Sequence, residues 1–208
     1  RSGAQIEIKE IDQWFIKITD YADELLSSLE ELDWPENVKL MQKNWIGKSF
    51  GAEIEYKIDA SKDSLITFST RPDTIFGVSF LAISPNHPLA IKIAKDNEKI
   101  SSFLEKCKEA KAAEADMAKA EKLGIDTNLR VIHPLTGEKL PVWIGNFVLL
   151  DYGTGVVMGV PAHDSRDYEF AKKYNLNIKE VIKNNEEELP RTENGILINS
   201  DKFNGLSS

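Results

Sequence analysis

The first part of the chain has the hydrophobic periodicity of a helix. Apolar residues recur at helical spacing between Ile11 and Leu32, with charged residues between them, which predicts an amphipathic helix. Pro35 ends this helix because proline cannot continue its hydrogen bonding. A shorter helical piece that carries Trp45 is predicted to follow.

The pattern changes to strand-like alternation after Gly47. Ile54, Tyr56 and Ile58 alternate with charged residues, and a polar stretch at 59–64 leads into the apolar run 65–68, which predicts a β-hairpin. We therefore place a domain boundary near Gly47. It separates a helical segment at 1–47 from a second domain at 48–208.

The rest of the second domain mixes helices with short strands. A buried strand is predicted at 79–83, Pro88 opens a helix that runs to about Ile100, and residues 101–122 form a largely solvated helix rich in Ala, Glu and Lys. Another helix is predicted at 164–174. Further strands are predicted at 130–132, 141–144, 147–150, 155–160, 178–182 and 196–198. The predicted fold class is α+β, with the middle strands forming a barrel or a sandwich.

Composition limits the possible functions. The 208 residues are 41% hydrophobic, enough for a substantial core, and the net charge of -8 argues against a general polyanion binder. Any nucleic-acid contact must therefore be local. The single cysteine, Cys107, is expected to be inert, and the three histidines lie too far apart for a zinc site, so we expect no disulfide, no metal and no cofactor.

The sequence also carries an expectation about location. No run of apolar residues is long enough to span a membrane, and no signal peptide is recognisable, so we expect a soluble, cytoplasmic protein without a membrane partner. The chain begins at Arg1 without a methionine. We expect it to be a piece of a longer protein.

Two polar clusters follow predicted strands and are the candidate site. Residues 69–74 come directly after the strand 65–68, and Pro72 turns the chain there. Residues 162–168 follow the strand 155–160 in the same way, after Pro161. Two strand-end clusters of this kind suggest one shared pocket.

The residue types alone leave two interpretations open. His163, Asp164 and Ser165 have the side chains of a nucleophile with its base, but neighbours in sequence seldom converge on one reacting atom. Asp164 or Ser165 can instead be the N-cap of a helix, with Asp167 in its first turn. Likewise, Thr70 and Thr74 can be ordinary strand and turn residues, and Arg71 can be a surface ion-pair partner.

Four motifs give the sequence a family resemblance. The runs 70–74 (TRPDT), 133–137 (HPLTG), 152–158 (YGTGVVM) and 167–171 (DYEFA) together resemble the editing domain that is inserted into bacterial-type leucyl-tRNA synthetase. Met158 and the run 163–170 (HDSRDYEF) favour the leucyl over the isoleucyl and valyl branches. Residues from about 10 to 47 resemble the stretch that leads from the synthetic core into the insertion. The family's ATP-site signatures HIGH and KMSKS are absent, so this fragment should not aminoacylate.

The resemblance implies a role for each candidate residue. Thr74 would block the branched end of a leucyl side chain, Asp167 would hold the substrate's α-ammonium, and Thr70 and Arg71 would border the ester. Ser69 stands where many relatives have threonine. The substrate-binding residues implied by the resemblance are Ser69, Tyr152, Met158, Val160, His163 and Asp164.

The resemblance also implies a β-barrel-like editing domain with peripheral helices that acts on tRNA. Its reaction would be hydrolysis of the ester in leucine tRNA that carries norvaline, isoleucine or methionine, while leucyl-tRNA is spared. Its partners would be the 3' end of leucine tRNA and the remainder of the synthetase. The alternatives are the editing domain of an isoleucyl- or valyl-tRNA synthetase, and a non-catalytic tRNA-binding module.

Overall fold

The computed structural model describes residues 12–111, 121–150 and 153–208. The chain divides into two compact units, Arg1–Phe50 and Gly51–Ser208. Within the described residues, no helix is both long and apolar enough to cross a membrane.

The first unit contains two short helices, α1 at Ala22–Ser28 and α2 at Glu36–Ile46. Helix α2 is the predicted shorter piece, and it ends at Gly47, whose positive φ of 64° is the left-handed conformation that glycine adopts readily. The prediction of one continuous helix from Ile11 to Leu32 is wrong. Single 3-10 turns at Ile18–Tyr21 and Leu29–Glu31 flank the seven residues of α1.

The exposure of the apolar positions explains this difference. Trp14 is fully exposed, and Tyr21 and Leu25 are more than half exposed. A short amphipathic helix draws most of its stability from packing of its apolar face, so a face that stays in solvent gives little support to a long helix. Ile11, the predicted first residue, lies outside the described part of the chain.

A six-stranded sheet forms the centre of the second unit. Its strand order is β2-β1-β4-β5-β3-β6, with β3 and β5 parallel and the other neighbours antiparallel. The strands are β1 at Ala52–Ile58, β2 at Ser64–Ser69, β3 at Phe80–Ile83, β4 at Gly124–Ile132, β5 at Lys139–Gly145 and β6 at Val156–Gly159. A separate pair joins β7 at Ile182–Lys183 to β8 at Ile196–Leu197.

The predicted hairpin is confirmed as β1 and β2. Tyr56 pairs with Leu65 and Ala52 with Ser69, so the apolar positions of both strands share the core face. This register brings the end of β2, and the polar residues after it, to an edge of the sheet.

The sheet is open, which corrects the expectation of a barrel. In the described residues, no hydrogen-bonded ladder joins the edge strands β2 and β6, although these strands lie against each other and the Thr154 hydroxyl donates to the Ile66 carbonyl. Pro72 and Pro161 follow shortly after the two strands, and proline has no N–H to extend a ladder. Neither strand can therefore be extended as a ladder past its proline.

Three helices accompany the sheet: α3 at Pro88–Ala94, α4 at Glu98–Lys111 and α5 at Ser165–Tyr174. The helix predicted from Pro88 to about Ile100 ends earlier, at Ala94, and the next helix begins at Glu98, because the Asn97 side chain accepts the N–H groups of Lys99 and Ile100. The helix predicted at 101–122 was expected to be largely solvated, and in α4 one face is instead buried at Leu104 and Cys107 while Ser102, Glu105, Lys106 and Lys108 are exposed. Residues 112–120 lie outside the described part.

Two predicted strands are not formed as expected. Residues 147–150 follow β5 in a turn in which the Val148 N–H donates to the Gly145 carbonyl, and Val148 is buried without entering the sheet. Of the strand predicted at 178–182, only Ile182 is paired, as the first residue of β7. In each segment some apolar residues are buried by packing, as Val148 and Val181 are, and hydrophobicity alone does not distinguish such packing from strand pairing.

Helix α5 is held on the sheet by an aromatic cluster. The Phe170 ring centroid lies 5.2 Å from that of Phe80, 5.5 Å from Trp143 and 4.6 Å from Tyr174. Aromatic pairs at these separations add to the free energy of burial. The cluster fixes α5, whose first turn carries Asp167.

Candidate active site

A cavity of about 380 Å³ lies where β2 and β6 end. It brings together every predicted site residue except Tyr152, which lies outside the described residues. The lining consists of Phe68, Ser69, Thr70, Arg71, Thr74, Phe147, Val148, Leu149, Val157, Met158, Val160, His163, Asp164, Arg166 and Asp167.

The turn after β2 is stabilised by hydrogen bonds between its own residues. The Arg71 N–H donates to the Ser69 hydroxyl over 3.1 Å, and the Thr74 hydroxyl donates to the Arg71 carbonyl over 2.8 Å. Pro72 opens a 3-10 turn at Pro72–Gly77, in which Thr74 is buried. Because its hydroxyl is bonded to the backbone, Thr74 has a fixed orientation and acts on the cavity through its shape.

Arg71 is paired with a neighbouring carboxylate. Its Nη2 lies 2.9 Å from Asp73 Oδ2, and its Nε lies 3.2 Å from both oxygens of Asp73. Its Nη1 makes a long contact of 3.5 Å to the Thr192 carbonyl. The ion pair with Asp73 holds the guanidinium of Arg71, a residue of the cavity lining, in place.

The helix-capping interpretation of Asp164 is confirmed. Its Oδ1 accepts the N–H groups of Arg166 at 2.8 Å and Asp167 at 3.1 Å, which makes it the N-cap of α5. Ser165 is the first helical residue. The cap sets the direction of the first turn and so turns Asp167 toward the cavity.

His163 lines the cavity, but both ring nitrogens bond to the backbone. Nε2 accepts the N–H groups of Val181 at 2.9 Å and Ile182 at 3.1 Å, so Nδ1 carries the proton that is donated to the Arg191 carbonyl over 2.9 Å. Burial lowers the pKa of His163. The ring is therefore neutral and connects segments, which leaves it unable to activate Ser165 as a nucleophile.

Asp167 has an unusual electrostatic environment for a carboxylate. Its Oδ2 accepts the Val160 N–H over 2.8 Å, and no Lys, Arg or His among the described residues forms an ion pair with it. Burial, and then the negative charge of Asp164, raise the pKa of Asp167 to about 7. A half-buried carboxylate that faces a cavity and has no ion-pair partner among the described residues is complementary to a positively charged ligand group.

The remaining wall of the cavity is largely apolar. Met158 and Val160 contribute from the β6 side, and the Met158 sulfur lies 3.8 Å from the Tyr56 hydroxyl. Sequence reasoning missed the segment Phe147, Val148 and Leu149, because its apolar run was assigned to a strand. Carboxylate and apolar surface together suit a small ligand with an ammonium group and a hydrocarbon side chain.

Within the described residues, no group of three or more His, Cys, Asp or Glu side chains is arranged so that it could hold a metal ion. His87 caps α3, because its Nδ1 accepts the Leu89 N–H over 3.1 Å. Cys107 is buried on α4.

Comparison with known proteins identifies similar sequences. Residues 43–208 match the family model described as "Leucyl-tRNA synthetase, editing domain". Over the whole chain, the sequence is 54% identical to a leucine--tRNA ligase of Francisella tularensis, 55% to that of Francisella philomiragia and 54% to that of Legionella pneumophila. The chain spans 26% of each of these relatives, about a quarter of their length.

A solved structure has a similar fold. The chain matches the crystal structure of the ternary complex of Agrobacterium radiobacter K84 agnB2 LeuRS-tRNA-LeuAMS with a TM-score of 0.71 and 35% sequence identity. The match covers 91% of this chain and 23% of that chain.

The raised pKa of Asp167 predicts a pH-dependent stability difference. Between the ordinary carboxyl pKa of 3.8 and about 7, the folded chain binds a proton that the unfolded chain has lost, so this contribution to stability disappears as pH rises through about 7. We expect Asp167→Asn, which keeps an oxygen for the Val160 N–H, to raise the free energy of unfolding at about pH 8 by roughly 1 to 3 kcal/mol. Urea unfolding of both proteins measures this. An equal gain at about pH 4 would contradict it.

Proposed function

We propose that this chain, which belongs to the leucyl-tRNA synthetase editing-domain family, hydrolyses the ester of misacylated leucine tRNA and spares leucyl-tRNA. The observation that carries the proposal is that Asp167 and Thr74, which lie far apart in sequence, line one cavity. The cavity would receive the 3' end of leucine tRNA with a noncognate amino acid such as norvaline, isoleucine or methionine.

Asp167 would anchor the α-ammonium of the attached amino acid. The carboxylate faces the cavity without a cation partner in the described residues, so a ligand ammonium would supply the missing charge. At about 4 Å and an effective dielectric constant near 20, the attraction is on the order of 4 kcal/mol before desolvation. The ammonium would also restore the ionised form, because a nearby positive charge lowers a carboxyl pKa.

Thr74 would exclude leucine. A synthetic site separates amino acids that differ by one methylene by only about 1 to 3 kcal/mol, so a second site must reject the correct product. The buried Thr74 side chain is held by its bond to the Arg71 carbonyl and cannot easily move aside. A fixed methyl and hydroxyl at this point would collide with the branched end of a leucyl side chain.

Water would attack the ester carbonyl directly. The His163 ring is committed to the backbone, and Asp167 is assigned to the ammonium, so the cavity offers no activated protein nucleophile. The Thr70 hydroxyl and Arg71 Nη1 would orient the water and stabilise the developing oxyanion, and the neighbouring ribose hydroxyl would assist. A trapped covalent aminoacyl adduct on the chain would contradict this mechanism.

The same proposal covers the organisation of the chain. Residues 1–47 would lead in from the synthetic core, and residues 48–208 would form the editing domain, with the remainder of the synthetase as partner. The fragment would not aminoacylate. The leucine ligase relatives favour leucine tRNA over the isoleucyl and valyl alternatives. A non-catalytic tRNA-binding module is the second candidate, and any hydrolysis by the purified chain would eliminate it.

Removing the Thr74 side chain should relax the exclusion of leucine. We expect Thr74→Ala to hydrolyse leucyl-tRNA on the order of 10-fold faster than wild type, because the obstruction is steric and about a methyl group in size. Single-turnover deacylation with enzyme in excess measures the rate. The rate on norvalyl-tRNA is the internal control and should change little. Unchanged rejection of leucine would remove the steric assignment.

Removing the Asp167 carboxylate should abolish the anchor. We expect Asp167→Ala to lower norvalyl-tRNA deacylation by on the order of 100-fold, which corresponds to losing most of the ammonium attraction. Glu169→Ala is the matched control, because Glu169 is an exposed acid on the same helix whose partner is Lys122, at 3.6 Å. Equal effects of the two substitutions would show that only overall charge matters.

A further inference from the structure

We propose that His133 is a positioning residue that holds the leucine-excluding turn in place from behind the cavity wall. This inference rests on the proposed function, because it concerns the rejection of leucine. His133 lies in the turn between β4 and β5, far from Thr74 in sequence, and it is buried.

The hydrogen bonds of His133 define a single tautomer. Nδ1 accepts the N–H groups of Leu135 at 3.2 Å and Thr136 at 3.1 Å. Nε2 must then carry the proton, and it lies 2.9 Å from the Ile75 carbonyl, to which it donates. Nδ1 therefore holds the turn that contains His133, and Nε2 bonds to a distant segment of the chain.

Ile75 is the residue directly after Thr74. Its carbonyl accepts the Val78 N–H over 3.1 Å within the 3-10 turn and accepts the His133 ring N–H as a second donor. A 3-10 turn has poorer hydrogen-bond geometry than an α-helix, so an external donor stabilises it. The contact attaches the turn that carries Thr74 to the β4–β5 hairpin.

The buried Tyr56 ring contacts both His133 and the β6 side of the cavity. The Tyr56 ring packs edge-on against His133, with centroids 6.1 Å apart and planes at 85°. The Tyr56 hydroxyl lies 3.8 Å from the sulfur of Met158 on β6. His133 and Tyr56 thus contact the elements that carry Thr74 and Met158, and neither ring lines the cavity itself.

The two ring nitrogens of His133 can be separated by substitution. An asparagine oxygen occupies roughly the position of Nδ1, so His133→Asn keeps the acceptor for the local turn and loses the donor to Ile75. A glutamine amide nitrogen reaches roughly the position of Nε2, so His133→Gln keeps the donor to Ile75 and loses the local acceptor. The pair distinguishes positioning of the Thr74 turn from general stability of the hairpin.

The readout is the ratio of leucyl-tRNA to norvalyl-tRNA deacylation rates under single-turnover conditions, with Tm measured for each protein. We expect His133→Asn to raise this ratio by about 10-fold, the effect of about one hydrogen bond on the position of the turn, and His133→Gln to keep it near wild type with a lower Tm. A merely structural role would lower Tm in both variants without changing the ratio.

Each outcome decides the inference. A wild-type ratio in a folded His133→Asn variant would overturn it, as would an equal rise of the ratio in both variants. If His133→Asn does not fold, His133→Gln decides alone: rejection of leucine with a lower Tm supports the inference, and leucine hydrolysis at the wild-type Tm overturns it. Failure of the wild-type chain to hydrolyse norvalyl-tRNA would instead count against the proposed function.

Discussion

The hydrogen bond from the Val160 N–H to the Asp167 carboxylate is the contact on which the site depends. It joins the residue after β6 to the first turn of α5 across 2.8 Å and holds the carboxylate where burial disfavours its charge. A partly desolvated charge without an ion-pair partner is costly, so it stays in this position only because the surrounding structure holds it there. The Asp164 cap and the packing of Phe170 supply that support, because together they fix the start and the middle of α5.

The open edge of the sheet makes the cavity possible. A complete ladder between β2 and β6 would pair their backbones and close the gap that contains the cavity lined by Thr74 and Asp167. The prolines after the two strands stop any ladder from running past the strand ends, and the turns that they introduce supply the polar groups. The turns after the two strands are therefore both where sheet pairing stops and where the polar residues of the cavity begin.

Local signals in the sequence predicted much of this arrangement. The β1–β2 hairpin, the α5 cap at Asp164 and the strand ends at the two prolines depend on near neighbours, so the sequence specifies them directly. The strand predicted at 147–150 is not formed because Phe147 and Val148 pack in the cluster around Phe170 of α5 instead of pairing with a strand. The chemical use of His163 could not be read from sequence either, because its partners lie in the distant segment around Val181.

His133 and His163 show that a histidine near a candidate site need not take part in catalysis. In each ring, one nitrogen accepts two backbone N–H groups and the other donates to a carbonyl of a distant segment. Buried backbone groups outside helices and ladders still need partners, and a neutral imidazole supplies an acceptor and a donor at opposite ends of one rigid ring. A cavity bordered by turns contains many such groups. Among the polar side chains of the cavity lining, Thr74, His163 and Asp164 bond to the backbone, and Asp167 stands out because its second oxygen is left for a ligand.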